Sequence, residues 1–376
     1  MKDQPLNPEL FRDPARAREL AEDIRRIASG RSLQLMEVCG THTVAIARSG
    51  LRSLLPPGIR LISGPGCPVC VTPQPVIDGM IVRSAQPENI LATFGDMLNV
   101  PGSFSTLREE KARGGDVRIV CSPLAALRLA RENPRRRVIF PAIGFETTVP
   151  TAAAAVLEAE KTAVGNFFLI SAGRLIPPAL KFLLSDPETR IDGLLCPGHV
   201  SAIIGLEPYR KIARRFRVPC AVAGFEPVDI LGAVRELVRQ AVEGRSEAVN
   251  LYRRVVREGG NPKARRVLGK VFRPAGAGWR GLGEIPASGL ALRPAYRRFD
   301  IDRVSPIELP PAKKVPGCIC GRILRGLSDP ADCPRFGAGC EPRRPLGPCM
   351  VSAEGACAAW FRYGRRAAIP PGETVR

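Results

Sequence analysis

Between Leu33 and about Gln240 the chain repeats one alternation, and few folds can accommodate it. Short apolar runs (LQLMEV, RLIS, NILATF, VRIV, RVIFPAI, NFFLIS, DGLLC and PCAVAG) are separated by segments with helical spacing, among them PQPVIDGMIVRSA, PLAALRLARE, TAAAAVLEAE and PVDILGAVRELVRQAV. The runs are apolar throughout rather than at every second residue, so each is a strand buried on both faces. Strands of that kind, joined by helices, make mostly parallel sheets in an α/β fold. Eight strands in about 200 residues suit two small sheets better than one, and 376 residues are too many for one ordinary core. The expectation is two Rossmann-like α/β domains, residues 1–125 and 126–245, followed by a smaller loop-rich unit over 246–376. In that last stretch Gly and Pro become dense (GGNPKARR, RPAGAGWRGLGEIPASG) and the periodicity fades.

The first residues, MKDQPLNPELFRDP, contain no apolar leader, and no uncharged run approaches the roughly 20 residues needed to cross a bilayer. A cytoplasmic protein with no membrane partner is expected. In that compartment twelve cysteines point to metal ligation or redox chemistry rather than to a disulfide framework. The formal charge of +20 comes mostly from scattered arginines, and only 5% of residues are aromatic. Bases would find few rings to stack on, so an Arg-rich solvated surface, or an acidic protein partner, fits better than nucleic acid.

Open parallel sheets bind ligands at the carboxyl ends of their strands. The residues leaving these strands are Cys39-Gly40-Thr41-His42, Gly64-Pro65-Gly66-Cys67-Pro68-Val69-Cys70, Phe94-Gly95-Asp96-Met97, Gly144-Phe145-Glu146-Thr147-Thr148 and Cys196-Pro197-Gly198-His199. Thiols, carboxylates and both histidines of the chain gather there, while mid-strand positions are apolar. Any one of them alone could be packing; together they read as a functional rim. The words Cys39-x-x-His42 and Cys196-x-x-His199, like AIGFETT and VAGFEPV, raise a duplicated α/β unit, with chance as the other explanation. Cys121 and Cys220 read as buried packing residues, and Cys196 is left open by its neighbour His199.

Cys67-Pro68-Val69-Cys70 is the sharpest motif. A CxxC just after a strand and just before a helix places thiols near helix-end N–H groups, which favours the reactive thiolate. No second CxxC or matched His pair stands at zinc-finger spacing, so a redox dithiol or a labile metal site is preferred over structural zinc. In the C-terminal stretch, Cys318, Cys320, Cys333, Cys340, Cys349 and Cys357 are irregularly spaced over glycine- and proline-rich loops. That arrangement suits an iron–sulfur cluster needing four thiolates, and spacing alone does not say which four. A self-contained iron–sulfur or dithiol oxidoreductase is one function these features allow. The absence of a GxGxxG word at the first strand counts against one that uses a dinucleotide.

The words MEVCGTHT, GPGCPVCVTP, FGDMLNVPGS, GFETTVP, PGHVS and CxC…DCPRFGAGC…GPCMVSAEGACAAW, spread from Met36 to Trp360, resemble the HypD family of hydrogenase maturation factors. The resemblance implies two α/β domains plus a smaller [4Fe-4S] domain. It implies a part in assembling the Fe(CN)2CO group of [NiFe]-hydrogenases, in a stable complex with the chaperone HypC. Cyanide would arrive from HypE as a thiocyanate made with HypF. By motif, Cys39 would bind the iron with His42 beside it, and Cys67 and Cys70 would be the flanking redox pair. The family spacing C-x14-C-x6-C-x16-C falls on Cys318, Cys333, Cys340 and Cys357 as cluster ligands. Cys320 and Cys349 would then be a second redox pair and Glu354 a proton handler. Asn99, where a basic residue is commoner, departs from the pattern without touching a proposed ligand.

Overall fold

The computed structural model describes residues 8–309, 311–312 and 315–364. All eight expected strands form: β1 (Leu33–Glu37), β2 (Ile59–Ser63), β3 (Asn89–Thr93), β4 (Val117–Ile119), β5 (Arg137–Pro141), β6 (Phe167–Ile170), β7 (Gly193–Pro197) and β8 (Cys220–Ala223). β9 (Ala248–Asn250) follows, and then an antiparallel hairpin of β10 (Phe272–Trp279) and β11 (Gly283–Leu292).

Two sheets are built, and every strand pairing within them is parallel. The first has the order β2-β1-β7-β8-β9 and the second β4-β3-β5-β6. The order of strands in the sheets does not follow the order of the chain. The chain leaves the first sheet after β2, builds the whole second sheet, and returns to lay β7 beside β1. Apolar periodicity identifies each strand but not its neighbours. Both Cys-x-x-His words follow neighbouring strands of one sheet, which makes them partners in space rather than copies in two units.

Alternate residues on each strand face opposite ways, and the cores divide accordingly. Leu33, Leu35, Leu195 and Ala221 pack beneath the helices Pro14–Ala28 and Pro227–Glu243. Ile90, Ala92, Val138 and Phe140 pack with the helix Val149–Lys161. The opposite faces, with Met36, Ile62, Leu91, Ile139, Phe168 and Leu194, share a third core with Cys67, Cys70 and Cys349. The two sheets and the C-terminal segment therefore close on a common interior. No helix among the described residues is long and apolar enough to cross a membrane.

The β10–β11 hairpin lies where the sequence reads as loop. Glycine and proline obscure its alternation, and an irregularity between Ala275 and Ala277 breaks its register. Trp279 anchors it in the common interior, its indole N–H donating to the Ser288 hydroxyl at 2.8 Å.

The C-terminal helix Ala356–Tyr363 packs on the helix Gly40–Arg48 that follows β1. Arg52 joins the two regions: it forms an ion pair with the fully buried Glu37 of β1 and lies over the Trp360 ring, 5.3 Å from its centroid. Arg52→Ala would strand the Glu37 carboxylate, so we expect a loss of about 3 kcal/mol in urea unfolding; a loss below about 1 kcal/mol would show that the pair is not holding this end of the chain.

Candidate functional site: a thiol centre at the strand ends

Because β2, β1, β7 and β8 lie side by side and parallel, their outgoing loops meet along one edge. The loops after β1 and β2 touch with no side chain between them. A methyl group added at Gly66 would lie 2.5 Å from both the N and the Cα of Cys39, and the Gly40 N–H donates to the Gly66 carbonyl at 3.0 Å. The C-terminal loop closes from the other side, where a methyl at Gly40 would lie 2.5 Å from the Glu354 carbonyl oxygen. Thr41 donates its hydroxyl to Glu354 Oε1 at 2.6 Å.

Cys67 and Cys70 are joined as a disulfide. Cys67 is the N-cap of the short helix Pro68–Val71, and its sulfur accepts the Cys70 N–H at 3.1 Å. This short helix precedes the helix Gln74–Ser84, whose N-cap is Pro73, so the motif stands just before a helix as expected. Ser352, from the C-terminal segment, donates its hydroxyl to the Cys67 sulfur at 3.3 Å, and the helix Pro348–Val351 packs on Pro68–Val71. A cavity of about 340 Å³ opens beside the pair. It is lined by Pro68 and Val69, by Phe94, Asp96 and Thr148 from the second sheet's loops, and by Ser352 and Glu354.

Cys39 is buried, and its thiol is pushed up to about 11, by burial first and by the charge of Glu354 second. His42 is fully buried, and burial pushes it down to about 4. Neutral, it donates from Nε2 to the Gly224 carbonyl at 2.8 Å. His199 is exposed; partial desolvation lowers it, while Glu354 opposes that shift. Both imidazoles flank Phe225, with ring centroids 4.7 Å and 4.2 Å away. Glu146 turns inward: its Oε1 accepts the Ile176 N–H at 3.0 Å, and burial raises it to about 7. Cys196 and Cys220 lie in the core on adjacent strands, their thiols donating to the Leu194 and Val218 carbonyls at 3.6 Å, and burial raises Cys196 well above the usual thiol range. Cys121, expected to be buried, is exposed: it follows the edge strand β4, where nothing covers it.

The C-terminal thiols also converge. Burial pushes Cys357 up to about 12, reinforced by Cys318, Cys340 and Cys333. Cys340 is raised by burial and then by Cys318 and Cys333, although its sulfur accepts the Leu346 N–H at 3.4 Å. Cys318 is raised first by its hydrogen bond with Cys320. Four thiolates so close would repel one another strongly, and a cationic iron–sulfur core is the kind of group that would relieve them, so the donor set fits a cluster. Among the described residues no three Cys, His, Asp or Glu side chains stand in the tight array a single metal ion needs. Cys320 and Cys349 are free thiols, both within the electrostatic reach of Arg280. Cys349 shares the buried core with Cys67 and Cys70, and Cys320 and Cys357 pack against that core.

The family model described as "HypD: Hydrogenase formation hypA family" matches residues 15–364. The chain belongs to the HypD family. It is 47% identical over 364 residues to the hydrogenase maturation factor HypD of Rhizobium leguminosarum bv. viciae, covering 94% of each chain. It is 45% identical over 363 residues to that of Escherichia coli (strain K12), covering 94% of this chain and 96% of the relative. A HypD of Rhodobacter capsulatus is 45% identical over 365 residues, covering 94% and 97%. It is thus a hydrogenase maturation factor of the HypD type, and the motifs from MEVCGTHT to EGACAAW fall within the matched span.

Ser352, Phe225 and Arg280 were not singled out from the sequence. Ser352 sits inside the MVSAEGAC word, so the motif itself was a signal; Arg280 lies in a loop-like stretch that carried none.

Gly66→Ala should cost about 1–3 kcal/mol in urea unfolding, because backbone rather than a flexible side-chain end stands in the way; an unchanged midpoint would mean the loops can part. Glu354→Gln removes a charge that disfavours the Cys39 thiolate. The alkylation profile of Cys39 with iodoacetamide should therefore move to lower pH, with a several-fold higher rate at pH 8. An identical profile in the variant would contradict the facing of these two groups.

Proposed function

We propose that this chain is a scaffold on which the Fe(CN)2CO group of [NiFe]-hydrogenase is assembled, in a stable cytoplasmic complex with a HypC-type chaperone and with HypE as transient cyanide donor. The observation that supports this reading is the seating of three thiol motifs in one site: Gly66 of the CxxC loop against Cys39, and Ser352 of the C-terminal segment on Cys67.

In this reading the iron is cargo. Cys39 offers it a soft thiolate, suited to a low-spin ion with π-acceptor ligands. Its raised pKa keeps the unloaded thiol protonated, so metal binding has to displace a proton. The cavity beside Val69 and Asp96 gives the HypE tail a place to bring its thiocyanate. Release of cyanide from the tail's sulfur needs two electrons and one proton. Cys67 and Cys70 as a dithiol give both electrons and become the disulfide seen in the structure. Of their two protons one goes to the tail's thiolate, and Glu354, already accepting from Thr41, takes the other.

Cys320 and Cys349 as a dithiol would then reduce the Cys67–Cys70 disulfide by exchange, which the packing of Pro348–Val351 on Pro68–Val71 favours. A [4Fe-4S] cluster held by Cys318, Cys333, Cys340 and Cys357 would supply single electrons to this thiol chemistry. Neither nucleic acid nor a membrane is part of the proposal.

The test is infrared spectroscopy on anaerobically purified chain co-expressed with the HypC-type partner and the other maturation factors. Cyanide and CO stretching bands are expected in the native complex and absent from Cys39→Ala, with absorbance near 400 nm retained. Bands that survive the substitution would remove Cys39 as the anchor, and bands absent from the native complex would remove the scaffold role.

A further inference from the structure

The tip of the β10–β11 hairpin touches both thiol regions. On one side the Arg280 N–H donates to the Val71 carbonyl at 2.8 Å, and its Nε donates to the Thr72 carbonyl at 2.9 Å. Both carbonyls end the CxxC helix. On the other side a methyl at Gly281 would lie 2.5 Å from Gly321 Cα, the residue after Cys320. Hairpin tip, CxxC helix and Cys318–Cys320 turn are therefore in backbone contact.

Arg280 is largely buried, which lowers its pKa, and the charges that oppose this are first Cys320, then Cys349 and Cys318, with Asp78 weaker. A guanidinium keeps its proton even so. Its Nη2 is buried with no hydrogen-bond partner among the described residues. A buried cation with a free N–H, facing sulfur, asks for an anionic acceptor there. Thiolate sulfurs and cluster sulfides are such acceptors, and N–H···S bonds and nearby charge are what the protein uses to set a cluster's potential.

We propose that Arg280 is a positioning residue that tunes the C-terminal cluster, placing a fixed positive charge and an N–H donor against its sulfurs while its Nε holds the end of the CxxC helix. The inference rests on the reading of Cys318, Cys333, Cys340 and Cys357 as cluster ligands. The charge stabilises the reduced, more negative cluster, so its loss makes reduction harder. The hydrogen bond to Thr72 and the charge separate by substitution: lysine keeps the charge and loses the fork, and glutamine loses the charge.

The experiment is an EPR-monitored titration with dithionite on the full-length chain, native, Arg280→Lys and Arg280→Gln, after iron and acid-labile sulfide have been assayed in each. The equilibrium constant for one-electron reduction should fall about tenfold in Arg280→Gln, a shift of about 59 mV to lower potential, and Arg280→Lys should stay close to native. Equal potentials in native and Arg280→Gln protein would overturn the assignment. If Arg280→Gln fails to hold a cluster, loading becomes the readout: retention by Arg280→Lys supports the charge, and its equal failure overturns it. Native chain without iron and sulfide would instead overturn the cluster reading on which this inference stands.

Discussion

The close approach of backbone to backbone at Gly66 and Gly40 governs the rest of this site. No side chain separates Cys39 from the CxxC loop or Glu354 from the loop after β1. Three stretches far apart in sequence are therefore held at van der Waals distance by residues that contribute nothing but their smallness. Every group of chemical interest then follows from that seating. Cys39 faces Glu354, Thr41 reaches its carboxylate, and Ser352 reaches the Cys67 sulfur.

The topology explains how such loops come together. Parallel strands point their outgoing loops the same way, and the order β2-β1-β7-β8 makes neighbours of the turns carrying Cys67, Cys39, His199 and Phe225. The second sheet, inserted between β2 and β7, brings Phe94, Asp96 and Thr148 to the same cavity. Since the inward faces of both sheets share one core with Cys67, Cys70 and Cys349, the thiols lie inside the cooperative unit rather than on a flexible appendage. Burial keeps Cys39 protonated, so in the proposed role a metal would have to displace that proton on binding.

Much of this was legible in the sequence, for physical reasons. Runs such as RVIFPAI and NFFLIS are apolar because strands of a covered parallel sheet are wet on neither face, and each appears where the pattern put it. The rim was legible because polar residues cluster only where strands end. Strand order was not, because buried strands carry no label for their neighbours; the return of the chain to set β7 beside β1 is a tertiary choice. The β10–β11 hairpin was hidden by its glycines, and with it Arg280. The inward turn of Glu146 and the exposure of Cys121 likewise depend on what packs above them, which no local pattern records.

The proposed exchange between dithiols depends on the C-terminal segment being folded onto the CxxC helix, where Pro348–Val351 packs on Pro68–Val71. Thiol trapping by mass spectrometry tests it most directly, using Cys70→Ser to leave Cys67 without its partner and mild oxidation to capture whatever thiol meets it. A peptide linking Cys67 to Cys349 is expected, lost when Cys349→Ser is added. Cys67 recovered only as a mixed disulfide with added glutathione, with Cys349 still free, would contradict it.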